Sequence, residues 1–190
     1  MPPKQRITRE MILEKSFSMF CRDGMDAVNA RSVAKALNCS TQPIFSYFSG
    51  MDDLKNALDQ KARDAFEQAL AEARGDSTID NACAGYIRFA MEQPRLFAHM
   101  FLNINEGQAQ VTMNDMLRTP VVEAECAQTG LSQEDAHGIC EKMWIFAHGL
   151  AALQASGQSA FTPDQIWEMI AKTHESLRLS AQHSQEHTGA

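Results

Sequence analysis

The sequence predicts an all-α protein. It places a three-helix head at residues 1–51, a larger helical body at 52–180 and a flexible tail at 181–190, with roughly nine helices in all. Three observations predict this. Apolar residues recur at spacings of three and four, as in Ile12, Leu13, Phe17 and Phe20, which is the period of a helix with one buried face. The longest alternating stretches break within four residues, too short for a sheet of half-buried strands. Ser, Thr, Asn or Asp stands where most periods begin, and Gly or Pro where they stop.

The elements follow in order. Thr8 caps a helix over 8–22 that Gly24 ends. Asn29 caps a short helix through Leu37, and Asn38 follows it. Ser40 is the expected cap of a third, Thr41 to Tyr47, with Pro43 in its first turn, where a missing N–H costs little. A polar helix over 52–74 opens on Asp52 and Asp53, which suit its positive end. Further helices are expected over 78–92, stopped by Pro94, over 94–102, and over 108–128 with an interruption at Thr119-Pro120. Ser132 with Asp135 starts one to Ser156, and Thr162-Pro163-Asp164 starts the last, to about Leu179. From Ser180 onward the chain reads as frayed.

Composition narrows the function classes. The chain has 190 residues, 44% apolar and 22% charged, an ordinary globular balance. No apolar run approaches the ~18–20 residues of a membrane span, and the polar start argues against a secretory signal. Five widely spaced cysteines without a CxxC fit reduced thiols in the cytoplasm. The net charge of −7 is unevenly placed: residues 1–51 hold seven basic and four acidic groups, and the remainder ten and twenty. Phosphate binding requires a local positive potential rather than a basic whole.

The stretch from Val33 to Phe45 has helix-turn-helix logic. Ala34 is small enough for two helices to approach. Asn38 stands where the turn needs a left-handed backbone, which Asn tolerates. Leu13, Phe17, Val28, Val33, Leu37, Ile44 and Phe48 would form the core. Thr41, Gln42, Pro43, Ser46 and Tyr47 would face outward, beside Ser40. In this motif the last helix enters the major groove with its first residues at base edges. Gln42 can bond adenine twice, and Thr41 can meet a phosphate or a thymine methyl. The same residues also fit a plain polar surface on a small helical bundle.

Residues 7–58 resemble the DNA-binding head of TetR-family repressors. The matching text runs from Ile12 to Phe20, then Gly24, Asn29, Val33-Ala34, Asn38-Cys39-Ser40, Ile44-Phe45-Ser46-Tyr47-Phe48 and Asp52-Asp53-Leu54. Asn38 stands at the usual turn glycine, Phe45 at the usual tyrosine and Tyr47 at the usual histidine. Met51 replaces the lysine that often holds a phosphate. Arg31, with Lys4 and Arg6 in the N-terminal arm, is the expected substitute. A second resemblance joins Tyr86 to Phe97 with Trp144-x-x-x-His148-Gly149, similar to a Trp-x-x-x-His-Gly C-terminal domain in a subset of these regulators.

The resemblance implies a homodimer on a near-palindromic double-stranded operator and a small-molecule effector held in the body. The expected effector lining is Phe97, Met100, Phe101, Met113, Met116, Leu117, Trp144 and His148; each also fits a plain core. The expected dimer face is Ile139, Met143, Ala147 and Leu150 with Ile166, Met169, Ile170, Thr173 and Leu177, on stripes of helical period. No cofactor, metal or membrane partner is expected. His183 and His187 lack a third ligand. Enzyme motifs are missing, and Cys140 and His148 stand ~12 Å apart by helical rise. Two other readings stay open: a helical small-molecule binder that no longer reads DNA, and a small enzyme using His148.

Overall fold

The computed structural model describes residues 7–71, 77–102 and 119–188. Among them it is all-α. The helices are α1 (Arg9–Asp23), α2 (Ala30–Ala36), α3 (Gln42–Tyr47), α4 (Met51–Ala71), α5 (Thr78–Glu92), α6 (Pro94–Phe97), α7 (Thr119–Thr129), α8 (Gln133–Ala155) and α9 (Pro163–Thr188). A 3-10 turn, Met25–Ala27, follows α1, and a π turn, Ala98–Leu102, continues α6. The chain divides into two compact units, Met1–Ala65 and Phe66–Ala190.

The division falls inside α4, not ahead of it at residue 52. The cause lies in the first half of α4, where Leu54, Leu58 and Ala62 are fully buried in the first unit. Lys61 adds an ion pair to Glu14 and lies 5.2 Å from the Phe17 ring centre. The core of this unit is shifted from expectation. Val28, Val33, Ile44 and Phe48 are buried, whereas Leu13, Phe17 and Leu37 are half-buried. Ile12, Met19 and Phe20 take their places, one helical step around α1.

Local signals read from the sequence recur as geometry. The Thr8 hydroxyl accepts from the Met11 amide at 3.2 Å. The Ser132 hydroxyl accepts from the Asp135 amide, and Ser77, not expected as a cap, accepts from the Asp80 amide, each satisfying one orphan amide at a helix start. Ser40 does not cap α3: Thr41 holds the cap position, without a side-chain bond. Helix α4 is anchored instead by Asp53, whose carboxylate accepts from the Ser49 amide at 2.9 Å. The expected helix over 108–128 is described only from Thr119.

The tail is a correction. Helix α9 runs on to Thr188 rather than fraying from Ser180. No Gly or Pro interrupts the chain before Gly189. Gln185 donates to the Asp135 carboxylate at 2.8 Å, fastening the extension to the start of α8.

In the second unit, α5 and α8 pack through Ile79, Cys83, Tyr86, Ile87 and Ala90 and through Ala136, Ile139, Met143, Ala147 and Leu150, all buried. Helix α4 comes very close to α5 at Gly85. A Cβ there would lie 2.7 Å from the Ala69 carbonyl oxygen and 3.1 Å from the Leu70 Cα. Arg88, one turn on, donates to that same Ala69 oxygen at 2.7 Å.

Helices α5, α7 and α9 meet at a buried charge cluster. His174 Nδ1 lies 2.8 Å from Asp80, and its Nε2 lies 3.1 Å from Glu125. Arg178 Nε lies 3.6 Å from the same Glu125 oxygen. Burial opposes charge on His174, but hydrogen bonds to Asp80 and Glu125 prevail and raise its pKa to about 9. The imidazolium form thus holds two buried carboxylates.

Two predictions follow from this packing. The His174 proton is bound more tightly in the folded chain than in the unfolded one, whose pKa is ~6.5. Its stabilisation is complete below pH ~6.5 and is lost as pH rises through about 9, a change on the order of 3 kcal/mol. Urea midpoints measured across that window should fall, and His174→Gln should flatten the slope. Gly85→Ala should lower the urea midpoint, because a backbone clash costs about 1–3 kcal/mol against the ~1 kcal/mol that alanine adds to a helix.

Candidate nucleic-acid interface and a polar cluster in the body

The turn between α2 and α3 is built by backbone bonds. Asn38 takes φ 52°, and among the described residues it alone has positive φ without being glycine. Its amide donates to the Lys35 carbonyl at 3.1 Å, and the Cys39 amide donates to Ala34 at 3.0 Å. This pair of bonds closes the end of α2 and reverses the chain at a fixed angle. At the other end of α2, Asn29 and Ser32 exchange side-chain-to-amide bonds at 3.0 and 3.1 Å.

Helix α3 buries Ile44 against this frame, and the Phe48 that follows it is buried too. Its other face is open: Gln42, Phe45, Ser46 and Tyr47 are exposed, with Thr41 and Pro43 half-buried beside them. Exposed Ser40 precedes the helix, and exposed Arg31 lies in the first turn of α2. Ser46 donates to the Gln42 carbonyl at 2.9 Å, so its proton is used within the helix. The Tyr47 hydroxyl donates to the Ile7 carbonyl at 3.3 Å, joining the end of the N-terminal arm to α3. Arg9 lies 4.9 Å from the centre of the Phe48 ring. Lys4 and Arg6 lie outside the described residues.

Phe45 was not anticipated as part of this surface. It is 52% exposed, more than Tyr47 at 40%. The available signal was spacing: Ile44 and Phe48 are four apart and share one face, which turns Phe45 about 100° away.

In the second unit, five of the eight expected effector residues fall within the described residues. Phe97 and Met100 are buried, while Phe101, Trp144 and His148 are half-buried. Met113, Met116 and Leu117 lie outside. Tyr86, which the sequence reading did not place here, is the hub. Its hydroxyl lies 2.8 Å from His148 Nδ1, and its ring sits 5.0 Å from Phe101 and 5.4 Å from Phe97. Phe66, in the part of α4 that belongs to this unit, meets Tyr86, Phe89 and Phe101 within 5.9 Å. The rings of Trp144 and His148 stack, 5.1 Å apart at 14°.

Burial sets the protonation of this cluster. It lowers the pKa of His148 and raises that of Tyr86, so a neutral imidazole faces a protonated phenol. Cys140 is buried, with its pKa pushed up to about 12, chiefly by burial. That leaves a thiol rather than the thiolate a nucleophile requires. A separate cleft of about 170 Å³ lies between α5 and α9, lined in part by Arg88, Met91, Pro163 and Trp167. It includes none of the expected effector residues.

Of the nine residues of the expected dimer face, six are covered within the single chain. Ile139, Met143, Ala147, Leu150, Ile166 and Ile170 are buried within the chain itself, so they are core. Met169, Thr173 and Leu177 are half-buried. Helix α8 carries a second apolar stripe that periodicity alone did not separate from the first. Ile145 and Leu153 on it are 57% and 42% exposed, with Gly149 exposed between them. The sequence reading also missed Asp80, Glu125 and His174. Among the described residues no cluster of His, Cys, Asp and Glu could hold a metal ion, and no helix is long and apolar enough to cross a membrane.

Comparison with known proteins agrees with this architecture. Residues 79–174, just over half of the chain, match the family model described as tetracyclin repressor-like, C-terminal domain. The HTH-type transcriptional regulator YobS of Bacillus subtilis is 22% identical over 185 residues, covering 95% of this chain and 92% of that protein. An HTH-type transcriptional regulator of Mycobacterium tuberculosis is 24% identical over 182 residues, covering 93% and 81%. The crystal structure of a TetR-like transcriptional regulator from Rhodococcus sp. RHA1 shares the fold, with a TM-score of 0.64, 18% identity and coverage of 89% and 96%. The match to the tetracyclin-repressor-like body, joined to a helix-turn-helix head, makes this chain a member of the TetR family of transcriptional regulators.

Proposed function

We propose that the chain is a ligand-responsive repressor that binds a near-palindromic operator as a homodimer. The observation that carries this reading is the outward face of α3, held by the left-handed turn at Asn38. Entering the major groove, α3 would bring Gln42 to an adenine edge and Thr41 to a phosphate or thymine methyl. Phe45 has no polar atom to offer and suits a thymine methyl. Ser40, Pro43 and Ser46 would line the approach. Arg31 would hold a phosphate in place of the lysine that Met51 lacks. Tyr47 binds the carbonyl of Ile7, and Lys4 and Arg6 precede Ile7 in the chain.

The dimer would form through the outer stripe of α8, where Ile145, Gly149 and Leu153 recur at helical spacing. A two-fold pair would present two recognition helices about 34–36 Å apart. An effector bound in the aromatic cluster would act only if it bound the DNA-competent and DNA-free conformations with different affinity.

Duplex binding, measured at two salt concentrations on operators selected from random DNA, tests the reading. Arg31→Ala should weaken all duplexes alike and reduce the salt slope by about 1, whereas Gln42→Ala should cost about 1–3 kcal/mol at one base position. A wild-type chain that ignores every duplex at low ionic strength would refute the proposal. Ile145→Asp with Leu153→Asp should yield a monomer by light scattering while leaving the helical circular dichroism intact; a dimer that persists would place the interface elsewhere.

A further inference from the structure

The aromatic cluster of the body contains a polar group with no partner among the described residues. Trp144 Nε1 is buried and has no acceptor among the described residues. A buried indole N–H normally has one, and leaving it bare costs about 1–3 kcal/mol. Its ring stacks on that of His148, whose Nδ1 is engaged by Tyr86 at 2.8 Å. Both stacked residues are half-buried, while Trp144 Nε1 itself is fully covered, so a ligand would reach it by displacing the side chains packed over it. The rings of Phe66, Phe97 and Phe101 also pack against Tyr86. Phe97 and Phe101 lie 5.1 Å apart, where α6 passes into the π turn. Such turns are frequent at functional sites.

We propose that Trp144 and His148 form the polar end of the effector site, and that the site takes an uncharged, flat, apolar molecule carrying an acceptor oxygen, of the aryl ester or aryl ketone class. This rests on the ligand-responsive reading above and names its ligand chemistry. The Tyr86 phenol pairs with His148 Nδ1 at 2.8 Å; with the phenol as donor in that pair, the tautomer proposed here, the imidazole proton sits on Nε2. Trp144 Nε1–H and His148 Nε2–H are then two donors on stacked rings 5.1 Å apart, from which a ligand oxygen would accept. The phenylalanine rings and Met100 would receive the apolar body of the ligand. A carboxylate or an ammonium would find no counter-ion among these side chains and would be desolvated without compensation. A site built around donors also rejects an isostere that lacks the acceptor.

The test follows Trp144 fluorescence in full-length Trp167→Phe protein. The probes are methyl benzoate, propylbenzene, benzoate and benzyltrimethylammonium. Methyl benzoate should quench saturably, propylbenzene should bind about tenfold more weakly, and the two ions should not saturate. Ligand-observed saturation-transfer NMR then compares Trp144→Phe with its parent. That substitution keeps an aromatic ring, though a smaller one, and removes the donor, so methyl benzoate should lose about tenfold more affinity than propylbenzene does. Retained propylbenzene binding also reports that the variant is folded. The proposal is overturned if either ion binds best, if propylbenzene matches the ester, if Trp144→Phe weakens both equally, or if no probe binds. Duplex binding with and without the ester separates the two readings: an ester that binds yet leaves DNA affinity unchanged refutes the coupling and leaves this ligand assignment standing.

Discussion

The second unit depends on one buried imidazolium. His174 on α9 uses both ring nitrogens, one toward Asp80 on α5 and one toward Glu125 on α7. Each carboxylate alone would be costly to bury, and a neutral histidine could satisfy only one of them as a donor. The three groups therefore stand or fall together, and they fix three helices at one point. Because the carboxylates sit on opposite nitrogens, this is an ion cluster and not a shared coordination site. Arg178, one turn beyond His174, supplies further positive charge beside Glu125.

The first unit rests on a smaller constraint of a different kind. There the geometry comes from backbone hydrogen bonds and one left-handed residue. An Asn at φ 52° is tolerated where a branched side chain would be strained. The two closing bonds at Ala34 and Lys35 set where α3 begins. Ile44 and Phe48 then fix its rotation by burying one face. The outward set is what remains after that burial, which is why it contains an exposed phenylalanine beside polar residues.

The sequence disclosed what is local. The caps at Thr8, Asn29 and Ser132, the stop at Gly24 and the turn at Asn38 are short-range chemistry, and each recurs in the structure. Ser40 does not act as the cap of α3; Thr41 holds that position, without a side-chain bond. Contacts between distant residues were not legible. Asp80, Glu125 and His174 lie far apart in the chain, and each reads as an ordinary surface residue. Helix α8 misled for another reason: it has an inner and an outer apolar stripe, and period alone does not say which meets a partner. The end of α9 was misread because its polar composition hid the bond from Gln185 to Asp135.

Helix α5 connects these observations. Asp80 ties it to α9, Tyr86 ties it to α8, and Gly85 with Arg88 holds it against the Ala69 carbonyl of α4. Its position is thus set on three sides by contacts of different physical kinds. Phe66 of α4 touches Tyr86, Phe89 and Phe101, so a ligand seated at Trp144 and His148 would have to repack rings that α4 and α5 share. Packed aromatic interiors do not deform gradually, since a ring that shifts must find another close-packed arrangement. Coupling by this route requires only that the ligand prefer one ring arrangement over the other, and its strength is bounded by that difference in affinity.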